Sequence, residues 1–354
     1  MSDSTWPQIL KQLLAGEDMS REQSSWAMRQ IMNGEATESQ MGAFMIALRA
    51  KGETVQELAG LVDVMLENAV LLETGNDAVD IVGTGGDMFG TVNISSMASI
   101  VASAAGVPVL KHGSRSASGK TGASEMLEVL GIRLDLSPQQ VAKVFKQTGI
   151  TFFFAPVFHP AMRHVAPVRK QIGIPTTFNF LGPLANPVQP VATALGVSDK
   201  AGAPLMAQEL SARGRSGIVF RADDGMDELS TTSENSLWEI SQGEVREHKI
   251  SASDLGLETA SIEQLLGGDA RHNAEVASEL FSGNKFENSE QIKTVVALNA
   301  AAGLVAYDLA KQPETIEQDL VRRLRKAFTK SYEAIESGAA QSKLEEWTKA
   351  SHSA

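Results

Sequence analysis

The pattern of this chain changes abruptly at residue 79, and that change limits its fold more than any other feature. Val79-Asp80-Ile81-Val82 is short, mostly apolar and β-branched, and it passes directly into Gly83-Thr84-Gly85-Gly86-Asp87. Asn93-Ile94-Ser95-Ser96 then opens an Ala-rich helical stretch ending near Gly106. Strand, glycine turn and helix in that order make the first unit of a parallel sheet, whose neighbouring strands need a crossover. The alternation continues with a strand at 107–110, a polar loop at 111–121, and helices around 126–130 and after Ser137, whose partner Gln140 completes a capping pattern. Further strands are expected at 150–154, 191–197 and 217–221, with a helix at 204–213 between the last two. Pro204 is expected at the first position of that helix, where the missing N–H costs nothing. These segments predict an α/β domain with a mostly parallel central sheet covered on both faces.

Before residue 79 no strand-like alternation occurs. Trp6, Ile9, Leu10, Leu13 and Leu14 recur at helical spacing, and Ser20 with Gln23, Thr37 with Gln40 and Thr54 with Glu57 form candidate capping boxes. Gly34 and Gly52 stand where helix C-caps belong. A small all-helical domain over 1–72 follows. Residues 160–173 are helical, basic and rich in His and Arg, whereas 178–187 read as a rigid, turn-rich crossing. Residues from about 160 to 188 are expected to return to the helical domain. That leaves 73–159 and 189–350 for the α/β domain and puts a ligand cleft at the junction. Two long helical patterns, 289–310 and 314–337, close the chain.

Composition narrows the chemistry. There is no Cys, so disulfides and thiolate metal sites are excluded, and the six His show no metal-ligand spacing. A net charge of −12 speaks against an extended nucleic-acid surface, because phosphate neutralisation supplies most of the affinity of such surfaces. Any polyanion site must be a local basic pocket. The first residues lack a basic segment followed by an apolar one, and apolar runs are interrupted short of the ~18 residues of a membrane span. The expectation is a cytoplasmic protein with no membrane and no nucleic-acid partner.

Three polar turns are candidates for function. Glycines in 83–86 let backbone amides approach a phosphate at a helix N-terminus, although an ordinary turn fits the same residues. Asp87 alters the first reading, since a carboxylate beside a phosphate wants a metal between them. Residues 111–122 hold three cations, four hydroxyls and three glycines, which suits a polyphosphate as well as a solvated loop. Asp223-Asp224-Gly225-Met226-Asp227-Glu228 is either a solvated acidic turn or a Mg²⁺ holder. Arg169, on a helix with Arg163, His164 and Lys170, offers a planar fork for a carboxylate.

Taken in order, these segments resemble the anthranilate phosphoribosyltransferase family. The resemblance is carried by Gly83-Thr84-Gly85-Gly86-Asp87, Asn93-Ile94-Ser95-Ser96, Lys111-His112-Gly113, Phe154-Ala155-Pro156 with His159-Pro160, Asn179 through Asn186-Pro187, and Asp224-Gly225-Met226-Asp227-Glu228. It spans nearly the whole chain. It implies phosphoribosyl pyrophosphate and anthranilate as substrates, Mg²⁺ as cofactor, and a homodimer formed through the helical domain. By resemblance, Gly83, Gly86, Asp87, Thr91, Asn93, Ile94, Ser95, Ser96, Lys111, His112, Gly113, Arg115, Ser118, Gly119 and Ala123 hold phosphoribosyl pyrophosphate. Gly83, Ser114 and Arg169 would meet anthranilate, and Ser95, Asp227 and Glu228 the metal.

The chain departs from the family pattern at three places. Ser114 replaces the usual Asn, Gly119 replaces the second of two serines, and Met88-Phe89 replaces the glycine after the GGD run. Ser114 is shorter than Asn and reaches an aromatic acceptor only through water. Two alternatives follow: a paralogue with the same donor and another aromatic amine, or an enzyme like the pyrimidine-nucleoside phosphorylases. The latter share the fold but usually add a C-terminal domain for which 354 residues leave little room.

Overall fold

The computed structural model describes residues 4–72, 74–115 and 121–354. Four helices open the chain: Trp6–Leu14, Arg21–Met32, Glu38–Lys51 and Val55–Glu67. Thr5, Ser20, Thr37 and Thr54 cap them, and all four capping boxes are closed. Of the first apolar stripe, Trp6, Ile9 and Leu13 are buried, while Leu14 is 79% exposed. Glu57 is fully buried, yet its carboxylate accepts from Met19 N at 2.9 Å and pairs with Lys51 at 2.9 Å. Helices Pro160–His164, Ala166–Ile172 and Phe178–Leu184 pack against these N-terminal helices.

The α/β part is built on β1 (Val79–Gly83), β2 (Val109–Gly113), β3 (Ile150–Phe154), β4 (Ala192–Gly196), β5 (Ser216–Ala222), β6 (Asn235–Ser241) and β7 (Glu244–Ile250). Among the described residues they form one sheet in the order β3-β2-β1-β4-β5-β6-β7. Pairings from β3 through β5 are parallel; β6 and β7 join antiparallel. Strand alternation divides the interior into two clusters, because successive side chains point to opposite faces. Ile81, Ala194, Ile218, Phe220 and Leu237 join one cluster with helices Ile94–Ala104 and Ser289–Lys311. Val82, Leu195, Val219, Trp238 and Ile240 join the other, with the N-terminal helices and helix Gly202–Ala212. Helix Ser289–Lys311 is long and apolar enough to cross a membrane, but 78% of its apolar window is buried against the sheet and neighbouring helices.

Several local expectations are corrected. β2 runs on through Lys111, His112 and Gly113, so the polar loop starts later than 111. Both polar side chains stay in the strand because each finds internal partners. Pro204 is the third helical residue, not the first; its missing N–H still falls among the unpaired amides of a first turn. Residues Phe178–Leu184 are a short helix rather than a turn-rich crossing, with Pro183 in its last turn. The β6–β7 hairpin was not anticipated: Gln242 and Gly243 both have positive φ (50° and 83°), the geometry of a tight two-residue connection. A further helix, Ala339–Ser353, follows a break at Gly338.

Candidate active site

The sheet order turns back at β1. The chain builds outward through β2 and β3, then returns to place β4 on the other side of β1. A crevice opens at such a switch point beyond the C-terminal strand ends, and open α/β sheets bind their ligands there. Gly83 and Gly196 are paired neighbours at those two ends. A Cβ on Gly83 would strike the Asp227 carboxylate, and one on Gly196 would strike the Asp227 backbone carbonyl. Two missing side chains therefore let the acidic turn after β5 lie across both strands. Gly85 N donates to Asp227 Oδ2 at 2.7 Å, tying the glycine turn to the acidic one, and Thr84 N donates to Gly196 O at 3.0 Å, tying it to the end of β4.

Asp87, Asp227 and Glu228 come together there, with one oxygen from each within 4.8 Å of the others. Burial pushes the Asp227 carboxyl up to about 7, and the Asp87 charge pushes it the same way. Burial, then the charges of Asp227 and Asp87, raises Glu228 well above the usual carboxylate range. Burial is also the main cause that raises Asp87. Glu228 Oε2 is inaccessible and has no hydrogen-bond partner among the described residues. Three hard oxygen donors in mutual repulsion, one of them unpartnered, fit a Mg²⁺-sized cation carrying its own waters.

Lys111 stands beside this cluster. Its ammonium, 1% exposed, donates to Ile81 O at 2.5 Å and Ser95 Oγ at 3.3 Å. Burial lowers it to about 8, against the opposing pull of Asp80, Glu228 and Asp227. Asp80 is buried in the middle of β1, accepts from Asn186 Nδ2 at 2.8 Å and His112 N at 3.1 Å, and is raised by burial to about 6. Asn186 also donates to Leu110 O at 2.8 Å, which staples β1 and β2 to the segment after helix Phe178–Leu184. Ser95 joins through Lys111 rather than as a member of the three-carboxylate group.

Arg169 lies on helix Ala166–Ile172. Its guanidinium is largely buried, which lowers its pKa, and Asn179 Oδ1 at 3.3 Å is its hydrogen-bond partner. No ion pair to it occurs among the described residues, leaving a desolvated cation without a counter-charge. The same short helix that carries Asn179 accepts from His112: Gly182 O lies 3.0 Å from His112 Nδ1. His112 Nε2 is buried and unpartnered, and burial holds the imidazole neutral, near 3. Arg163 and Lys170 are exposed at the surface.

The remaining expected residues surround the crevice. Thr91 bridges Leu266, and Asn93 Oδ1 accepts from Asn273 Nδ2 at 2.8 Å. Ile94 and Ser96 are buried in the first turn of the helix after the glycine turn, and Ser96 Oγ has no partner. Gly86, with φ 85°, lies in the turn itself. Gly113 ends β2 against Phe152 and Ala123, the first residue of helix Ala123–Val129. Ser114 is exposed, and Arg115 reaches Glu128 at 3.3 Å. Ser118 and Gly119 lie outside the described residues. Sequence reasoning missed the strap at 265–269. Gly267 N donates to Gly90 O at 2.9 Å, and Gly268 O accepts from Thr121 Oγ1 at 3.1 Å. It also missed Asp80, although a lone acid inside an apolar strand is a readable signal.

Comparison with known proteins covers nearly the whole chain. Residues 7–69 match the helical bundle domain of a glycosyl transferase family and 75–341 its a/b domain. The anthranilate phosphoribosyltransferase of Leifsonia xyli subsp. xyli is 53% identical, over 98% of this chain and 98% of that protein. The chain belongs to the anthranilate phosphoribosyltransferase family. The crystal structure of the Thermus thermophilus member superposes with a TM-score of 0.86 at 36% identity, covering 97% of this chain and 99% of that one. The Saccharomyces cerevisiae member, solved in complex with PRPP and Mg, has a TM-score of 0.85 at 26% identity, covering 100% and 99%.

Proposed function

We propose that this chain transfers the 5-phosphoribosyl group of phosphoribosyl pyrophosphate to the amine of anthranilate, releasing pyrophosphate, a step of tryptophan biosynthesis. The observation that carries this reading is the division of charge across one crevice. Three carboxylates and a buried lysine gather at the strand ends, and an uncompensated arginine is held by Asn179, on the helix whose Gly182 O receives His112 of β2. A pyrophosphate with its metal suits the first group and an aromatic carboxylate the second.

The chain acts mainly by placement. The glycine turn and the helix beginning at Ile94 present backbone amides to the phosphates, and Lys111 adds a fixed positive charge near the pyrophosphate. Asp87, Asp227 and Glu228, with Ser95 close by, would hold Mg²⁺, which would stabilise charge gathering on the departing pyrophosphate. The bond from the anomeric carbon to pyrophosphate breaks, the carbon–nitrogen bond forms, and the amine releases its proton. An arylamine is unprotonated near neutral pH, so no strong base is needed; neutral His112 is consistent with that. Arg169 holds the acceptor carboxylate and so aligns the amine, an effect of orientation rather than of bond chemistry.

The same reading includes a homodimer formed through the helical domain and a cytoplasmic location. The dimer is supported by Leu14 and Ile46, 79% and 41% exposed on two helices that pack on each other. The location is supported by the donor, a polyanion that does not cross membranes unaided. Light scattering of the wild type against Leu14→Asp tests the dimer.

The test of the activity is loss of anthranilate fluorescence on mixing protein, phosphoribosyl pyrophosphate and Mg²⁺. Signal loss that requires all three supports the assignment, and none at any concentration removes it. The departure at Ser114 favours one second reading, another aromatic amine as acceptor; substituted anilines run in parallel distinguish it.

A further inference from the structure

The glycine turn and the Asn179–Arg169 pair are joined by a charged network that the reaction itself does not use. Arg49, in the last turn of helix Glu38–Lys51, reaches Glu53 Oε2 at 3.1 Å and also pairs with Asp199. Its guanidinium lies over the Phe180 ring, 5.4 Å from the centroid. Glu53 is buried and accepts the Thr177 hydroxyl at 2.5 Å. Asp199 follows β4 and accepts from Gly202 N at 2.6 Å, capping helix Gly202–Ala212.

Each end of this network continues into a substrate half-site. On the donor side, Ser198, next to Asp199, donates from Oγ to Gly85 O at 2.8 Å and from N to Thr84 Oγ1 at 3.2 Å, both in the glycine turn. Arg221 Nε fixes Ser198 O at 2.9 Å. On the acceptor side, Thr176, next to Thr177, donates its N–H to Asn179 Oδ1 at 3.2 Å, the atom that also receives Arg169. We propose that Arg49 is a positioning residue that couples donor and acceptor binding by tying the glycine turn, through Asp199, to the Arg169 support, through Glu53. The proposal rests on the transferase reading above. The physical basis is the planar fork: one guanidinium holds two carboxylates on different chain segments, and removing it leaves buried Glu53 without its counter-charge. Either half-site then shifts without carrying the other.

The test uses a non-reacting pair, anthranilate with inorganic pyrophosphate and Mg²⁺, and calorimetry on the full chain. Coupling is the ratio of anthranilate Kd without and with pyrophosphate, and ratios of roughly 5–150 are usual for coupled sites. In the wild type the ratio is expected to fall in that range. Arg49→Ala should bring it to within about twofold of one, while anthranilate Kd without pyrophosphate changes less than about threefold. Asp199→Asn, which keeps an oxygen for Gly202 N but loses the charge, should do the same and covers the case in which Arg49→Ala does not fold. A wild-type ratio of one overturns the proposal, as does a wild-type ratio retained in either folded variant. Equal weakening of both ligands with the ratio preserved marks Arg49 as structural only. Wild-type turnover of anthranilate is measured first, and its absence is the failure of the transferase reading rather than of the coupling.

Discussion

Removing the Arg169 side chain separates substrate recognition from folding. Among the described residues this guanidinium makes one hydrogen bond, at 3.3 Å, to a neutral amide, and it pairs with no carboxylate. A hydrogen bond from a charged donor contributes roughly 1.5–3 kcal/mol, but this one is long, and the desolvation of an unpaired cation works against it. Arg169→Ala should therefore shift the melting midpoint by no more than about 2 °C in a chain of this size. Binding is different, because a charge-assisted contact to the acceptor carboxylate contributes roughly 1.5–3 kcal/mol. The anthranilate KM should rise about ten- to 150-fold, while the phosphoribosyl pyrophosphate KM stays within about twofold. Arg169→Lys should recover only part of the loss, since an ammonium cannot match both carboxylate oxygens in one plane. Steady-state fluorescence with each substrate varied in turn, beside a thermal melt, measures all of this. Equal rises in both KM values, or a melting midpoint lower by ~8 °C or more, would refute the assignment and make Arg169 a structural residue.

Replacing Asp227 by Asn together with Glu228 by Gln removes two repelling charges at nearly constant shape. The melting midpoint in chelator should rise or hold while turnover falls at least about a hundredfold and loses its dependence on Mg²⁺ concentration; wild-type-like turnover at limiting Mg²⁺ would rule the metal role out. The pH dependence of Mg²⁺ stabilisation follows from Asp227, whose folded pKa of about 7 exceeds the usual 3.8. The folded chain holds a proton that the unfolded chain releases, so this group's contribution to stability is lost as pH rises from about 4 through 7. His112 and His159, near 3 and 4 when folded, act oppositely and cost stability as pH falls below about 6.5. The readout is accordingly the Mg²⁺-induced change in midpoint, expected to be larger at pH 8 than at pH 5, and an equal increment at both would count against the cluster as the metal site. Ser114→Asn should lower the anthranilate KM by roughly two- to tenfold, the effect of one added neutral hydrogen bond, and leave donor binding nearly unchanged; a rise in anthranilate KM would show that Ser114 suits the acceptor better.

What the sequence revealed was whatever nearby residues determine. Capping boxes such as Ser20 with Gln23 close within four residues, and the turn from Val82 to Gly86 combines a strand end with glycines at one place. The β6–β7 hairpin escaped because Glu244–Ile250, at the sheet edge, is mostly polar and only Ile250 is buried, which leaves little apolar periodicity to read. Helix Ala339–Ser353 escaped because Gly338 ends the preceding pattern, while the residues that anchor the new helix, Leu344 and Trp347, are widely spaced among polar ones. The Arg49 network was invisible for a different reason: Arg49 and Asp199 are 150 positions apart, and neither stands out among its neighbours.

Several residues of the site, read from the sequence or missed there, share one property: each is a poor choice for its local structure. Asp80 is an acid inside an apolar strand, Lys111 a cation inside a buried one, and Gly83 and Gly196 weaken strand ends that a β-branched residue would strengthen. Each departure is resolved only by something distant in the sequence. Asn186 satisfies Asp80, Ile81 and Ser95 receive Lys111, and Asp227 occupies the room left by both glycines. Among the described residues several groups are not resolved even so, among them Glu228 Oε2, His112 Nε2, Ser96 Oγ and the charge of Arg169. A fold seldom leaves buried groups of this kind without partners unless a ligand completes them. The groups left incomplete suit a cation near Glu228 and an anion near Arg169, and they carry the division of the crevice into a donor half and an acceptor half.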